Sequence, residues 1–286
     1  MTHMPISAST LGCPAWDLPT IIHRLPGYGF GAVELRGLRD DLDVSLIPEF
    51  TTHLTETRRM FADAGLAVSC IASSIRVCVP ETQKDNLEEA RRMIAVARGL
   101  NVPNIRVFGG GDLKQLSSEG LIDIGAVTIE KILALDGASE VRWCIETHDI
   151  WTASKSVKLF LDRIDAENVG VLWDVGHTTR MGPETPFDSW SLLGSRTFNT
   201  HFRDAVHDPA HPNAMADGWR YVPLGLGQLP LEEAMAVLKQ KSYRGYLTLE
   251  HEKRWHPDLE EPENIFPKAA AWFAQQLAPS ESRTSL

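Results

Sequence analysis

Short, almost uniformly apolar runs alternate along this chain with longer stretches in which apolar residues recur every three to four positions. The apolar runs are ISASTLGC, AVELRG, AVSCIASSIRV, NIRVFGG, VRWCIETH, VGVLWDVGH, FNTHFRDA and YRGYLTLEHE. Each is short enough to be a strand, and its two-sided apolar character fits a strand covered on both faces. Between them the helical period predicts helices near Leu18–Leu25 and around Pro48–Ala64, the latter stopped at Gly65. Further helices are expected at KDNLEEARRMIAVARGL, near Glu119–Leu135, at SKSVKLFLDRI, as a short piece in the Pro- and Gly-rich stretch before FNTHFRDA, at LPLEEAMAVLKQ with Pro230 near its first turn, and at ENIFPKAAAWFAQQL.

Eight strands, each followed by at least a short helix, imply a parallel sheet covered by helices. That number of repeats in 286 residues fits a single α/β (β/α)8 barrel over residues 1–278, with 279–286 as a flexible tail. An open doubly wound sheet is the rival, but no Gly-rich phosphate fingerprint follows the first strand. GGGD at 109–112 lacks the required spacing and reads as a strand-to-helix loop. Asp204–Gly227 reads as the longest irregular insertion, either a lid over the barrel mouth or a solvated loop.

Composition narrows the function. The hydrophobic fraction of 43% and charged fraction of 23% suit a globular protein with an ample core. A net charge of −10 and a pI near 5.5 argue against a nucleic-acid partner, whose phosphates demand Lys and Arg. Cys13, Cys70, Cys78 and Cys144 follow no metal-binding spacing, and buried free thiols are expected. With no basic n-region before an apolar core and no run long enough to span a membrane, a cytoplasmic protein without a membrane partner is expected.

Candidate chemistry gathers at strand ends. Glu146, Asp174, His201 and Glu250 close the fifth to eighth apolar runs, so one barrel would bring them together above its mouth. Hard oxygen donors with one imidazole suit Mn²⁺ or Mg²⁺, with Zn²⁺, Co²⁺ or Fe²⁺ as alternatives. Taken singly, each acid could equally cap a helix or pair with a surface cation.

WDVGH at 173–177, THFRD at 200–204, LGLGQLP at 224–230 and LTLEHE at 247–252, with IETHD at 145–149, resemble the xylose-isomerase-like TIM barrels, sugar isomerase/epimerase branch. That resemblance implies that Glu146, Asp174, His201 and Glu250 bind one divalent metal. It also implies that Glu146 and Glu250 move protons on opposite faces of a sugar, and that His177 contacts a substrate hydroxyl or the metal's outer shell. His148 shares a strand face with Glu146 and is either an extra base or a loop-bonding residue. As a base it would favour a lyase, such as a C-glycoside deglycosidase acting on 3-oxo-glycosides or a keto-sugar dehydratase. Trp16, Trp151 and Trp255 follow strands and are candidates to wall the pocket, or else they pack. Arg203, like Arg36, Arg76 and Arg106, is a candidate anion contact or a salt-bridge partner. The expectation is thus a metal-dependent isomerase or epimerase on a non-phosphorylated sugar or keto-sugar. A lyase is second and a non-catalytic sugar-binding subunit of a complex third; the oligomeric state is open between a homo-oligomer and, in the deglycosidase case, a hetero-oligomer with a second subunit. The superfamily's DNA endonucleases need more ligands than Glu34 on the early strands and are set aside.

Overall fold

A computed structural model describes residues 4–279 apart from Pro183, so most of the expected tail lies outside the described residues. Strands β1 (Ile6–Ser9), β2 (Ala32–Leu35), β3 (Ala67–Arg76), β4 (Asn104–Phe108), β5 (Arg142–Glu146), β6 (Val169–Asp174) and β7 (Thr197–Phe202) are joined by β10 (Tyr246–Leu249). They form a closed parallel barrel in the order β1-β10-β7-β6-β5-β4-β3-β2. The single (β/α)8 TIM barrel expected from the alternation is the fold.

The helices are α1 (Leu18–Tyr28), α2 (Leu54–Asp63), α3 (Gln83–Leu100), α4 (Ser118–Leu133), α5 (Ser154–Leu161), α6 (Val175–Arg180), α7 (Pro186–Leu193), α8 (Leu231–Gln240) and α9 (Pro262–Leu277). Local chemistry sets several starts: the Asp17 carboxylate accepts from the Thr20 amide at 2.9 Å, and Thr185 with Asp188 forms a capping box on α7. Around Pro48–Ala64 the expected helix is two pieces, a single tight turn at Pro48–Phe50 and then α2. No helix among the described residues is long and apolar enough to cross a membrane. All four cysteines are free and buried, as expected.

Between β7 and α8 the structure departs from the expectation of an irregular loop. Asp204–His207 (β8) pairs antiparallel with Trp219–Val222 (β9), making a hairpin beside the barrel mouth. Its base is pinned by Asp204, whose carboxylate accepts the amides of Ala205, Gly225 and Gly227 at 2.9 Å and of Leu229 at 3.3 Å. Gly225 sits at φ +82°, a left-handed turn that a residue without Cβ adopts freely.

The barrel interior is layered by strand alternation. Cys70, Cys144 and Leu172, with Phe198 against them, form a small apolar cluster apart from the main core. Two residues on from Cys144 and Leu172 come Glu146 and Asp174, and His201 and Glu250 likewise follow Asn199 and Thr248. The same period that puts small side chains inside the barrel therefore puts the charged ones at its mouth.

Candidate functional site

Glu146 ends β5, Asp174 ends β6, His201 lies in β7 opposite Asp174, and Glu250 follows β10 by one residue. All four are buried, and each offers a ligand atom within 4.8 Å of the others. The His201 Nδ1 stands 2.9 Å from Glu250 Oε2 and 3.4 Å from Glu146 Oε1. Its Nε2 is held by both oxygens of Glu34, at 3.0 and 2.9 Å, and Asn199 donates to the same carboxylate at 3.3 Å. The carboxylate on Nε2 thus turns Nδ1 inward, the usual arrangement for a metal-binding imidazole.

Electrostatics here are set by burial against opposed charge. Burial pushes the His201 imidazole toward neutrality, but Glu34 and Glu146 outweigh it and raise its pKa to about 9. Burial would push the Glu146 carboxyl up, yet Arg106, 3.2 Å away, together with His201 and His148, holds it well below the carboxylate range. The Arg106 guanidinium is fixed by donating to the Ser73 carbonyl at 2.9 Å and by lying over the Phe108 ring at 3.8 Å. Asp174 is likewise opposed by burial and lowered by Arg203, His177 and His201. Arg203 pairs with Asp174, Glu250 and Glu252, and donates to the Tyr221 hydroxyl at 3.2 Å.

Two histidines crown this layer. His177 Nδ1 donates to the Thr147 carbonyl at 3.0 Å, its backbone amide donates to Asp174 at 2.9 Å, and burial depresses its pKa to about 4, so it is neutral. The partly exposed His148 bonds Asp149 through Nδ1 at 2.8 Å; its ring lies 4.8 Å from both Phe108 and His177. One ligand atom from each of Glu146, His148 and His177 also falls within 4.8 Å of the others.

The residues fit a divalent ion. Among the described residues Glu146 Oε2, His201 Nδ1 and Glu250 Oε2 are buried and held by ion-pair contacts alone, with no hydrogen bond of good angle. Three buried carboxylates crowded onto one imidazole demand cationic charge, and an O₃N donor set of this kind suits a hard or borderline cation.

Other expected contacts are not brought together here. Trp16 packs against Phe266 and Tyr28, 5.7 and 6.4 Å between centroids, with Nε1 donating to Glu263 at 3.3 Å in the helix layer. Trp151 is buried against Phe160 and donates to the Gly110 carbonyl at 2.8 Å, so it anchors a loop instead of walling a pocket. Trp255 is half exposed under Arg254. Arg203, expected as an anion contact, spends its donors on the site's own carboxylates. Arg36 bonds Ser74 at 3.0 Å and Arg106 pairs with Glu146. Glu34 was visible only as a lone acid in a buried apolar strand, which itself signals a paired charge. A cavity of about 640 Å³ opens above β3–β5 and reaches Asp149, and one of about 220 Å³ lies under the hairpin, lined by Tyr221, His251 and His256. Neither encloses the cluster, whose buried donors define the site better than cavity size does.

Among solved structures, a probable 3-DHS dehydratase from Bacillus anthracis is similar at 18% identity and TM-score 0.76, covering 95% of this chain and 99% of that one. D-psicose 3-epimerase from Clostridium cellulolyticum H10 gives 15% and 0.74, over 96% and 98% of the two chains. The 3-keto-D-glucoside 4-epimerase of E. coli gives 14% and 0.73, over 96% and 100%. At such identities these likenesses speak for the fold alone. No curated protein matches the chain by sequence. The family model described as xylose isomerase-like TIM barrel matches residues 23–276, and the chain belongs to that family.

Proposed function

We propose that the protein is a divalent-metal-dependent isomerase or epimerase that abstracts a proton next to the carbonyl of a sugar or keto-sugar. The observation that carries this reading is the convergence of Glu146, Asp174, His201 and Glu250 as buried donors at one barrel mouth. Those four residues would hold the ion, with Mn²⁺ or Mg²⁺ suited to the oxygen-rich set. When bound, the ion supplies charge stabilisation for oxygen as the adjacent C–H is deprotonated. Glu146 ends β5 and Glu250 follows β10, with β6 and β7 between those strands, so a substrate seated between the two would meet them from different sides. Arg106 keeps Glu146 ionised and competent to accept a proton. His177, neutral and tied through Nδ1, offers Nε2 as an acceptor for a substrate hydroxyl. Delivery of the proton from the opposite side epimerises the carbon, whereas transfer to the neighbouring carbon isomerises the sugar.

A second reading, a lyase of the dehydratase or deglycosidase kind, is favoured by one observation. His148 is partly exposed and lies beside Glu146, adding a third proton-transfer group on the β5 side. The test is incubation of Mn²⁺-loaded protein with ketohexoses and with 3-keto-glucosides in D₂O. Deuterium entry next to the carbonyl, lost by at least roughly 10²-fold in Glu146→Gln or Glu250→Gln, is expected. Release of water or an aglycone without any epimer would move the assignment to the lyase. Protein that takes up no divalent ion would overturn both readings and leave a binding subunit.

A further inference from the structure

We propose that Asp149 is a positioning residue for His148, fixing its neutral imidazole as the Nδ1–H tautomer so that Nε2 carries the free lone pair beside Glu146. The inference rests on the reading that the top of β5 performs proton transfer, and it adds a residue that reading does not contain.

Asp149 adopts φ +53°, a left-handed conformation that few non-glycine residues take and that Asp tolerates best among charged ones. An observed outlier of this kind beside a reactive group is a pointer to function. Here it opens the tight turn Asp149–Trp151 immediately after His148. The turn is closed by the Trp151 amide donating to the His148 carbonyl at 2.8 Å, and it is anchored by the Trp151 indole donating to Gly110. Turned back in this way, the Asp149 carboxylate reaches the imidazole of its own neighbour, 2.8 Å from Nδ1.

An ionised carboxylate only accepts hydrogen bonds, so the nitrogen it holds must carry the proton. Phe108 and His177 flank the ring, each 4.8 Å away between centroids. His177 is fixed in the same sense by a different acceptor, the Thr147 carbonyl. Both rings therefore offer a bare Nε2, and one ligand atom from each lies within 4.8 Å of the other and of the Glu146 carboxylate, a cluster of acceptors. Such a cluster takes hydroxyl or acidic C–H donors. Without Asp149 the ring is free to place its proton on Nε2, which would turn the acceptor into a donor.

The experiment is long-range ¹H–¹⁵N correlation NMR on the full-length, ¹⁵N-histidine-labelled protein at alkaline pH, where imidazoles are neutral, with His148 assigned by the signals missing from His148→Gln. The wild type is expected to show a protonated Nδ1 and a bare Nε2. Asp149→Gly, which suits the left-handed backbone but removes the acceptor, is expected to lose that pattern. Asp149→Asn, which keeps an oxygen acceptor, is expected to retain it. An Nε2–H tautomer in the wild type, or a Gly variant indistinguishable from it, would overturn the proposal. The wild-type spectrum decides even where the Gly variant fails to fold. No substrate enters the measurement, so inactivity on every sugar would count against the proposed reaction and leave this result standing.

Discussion

Loading the site with a divalent ion should displace one proton, and that proton should come from His201. In the ion-free protein the imidazole is held between Glu34 on Nε2 and Glu146 and Glu250 at Nδ1, and its pKa is raised to about 9. At pH 7 the charged form then exceeds the neutral one by about a hundredfold. A metal needs the Nδ1 lone pair, so binding releases nearly one proton per ion. Apparent affinity should climb by about tenfold per pH unit and level off near pH 9. The stability of the ion-free fold runs the other way: a raised pKa contributes fully below the ordinary value of 6.5 and is lost as pH rises through about 9. Isothermal titration of Mn²⁺ into chelator-stripped protein, in buffers of different ionisation enthalpy, counts the protons directly. Glu34→Gln removes the charge facing Nε2 and should bring the levelling point to lower pH, with fewer protons released at neutrality. Affinity independent of pH between 6 and 8, or heats independent of the buffer, would refute the reasoning.

The ion should also stabilise the fold, because the converging carboxylates exist only in the folded chain. At a free concentration about 100 times its Kd, a gain of about 2.7 kcal/mol is expected, read as a higher denaturation midpoint that excess chelator reverses. Gly109→Ala should destabilise by about 1–3 kcal/mol in chemical denaturation, since the new methyl collides with the Trp151 indole packed over it; an unchanged midpoint would contradict that packing. All four cysteines are buried and burial pushes their thiols up, so a thiol reagent should find no fast-reacting group until denaturant is added. One rapidly titrating thiol in the native protein would show an opening that the structure lacks.

The alternation of apolar runs and helical periods made the barrel legible, because eight parallel strands leave few other ways to cover both faces of the sheet. The mouth cluster was legible for a related reason: Glu146 and Asp174 end strands at the same side-chain parity, so alternation alone aims them inward. What the sequence hid was radial. Trp16 and Trp151 do follow strands, but that places them only in height. One turned into the helix layer against Phe266 and the other under the loop at Gly110. The hairpin stayed hidden because Asp204–His207 and Trp219–Val222 are four residues each, separated by a stretch with no period to read. Glu34 carries no local sign of its role, since nothing in AVEL says that its partner is His201 in β7.

The charges at the mouth bear on one another in a way that constrains any reaction there. Glu34, Glu146, Asp174 and Glu250 are buried within one layer, and burial of unpaired carboxylates costs several kcal/mol each. Arg106, Arg203 and a protonated His201 balance them in the ion-free protein. Arg203 does so by occupying Asp174 and Glu250, two of the four residues an ion would need. Its guanidinium does not give up a proton, so His201 is the group that would lose one to an entering ion. Glu252 and Tyr221 offer that guanidinium partners away from the donor set, on the side of the hairpin. Arg203 therefore balances the donor carboxylates on one side while Glu252 and Tyr221 tie the same guanidinium to the hairpin on the other.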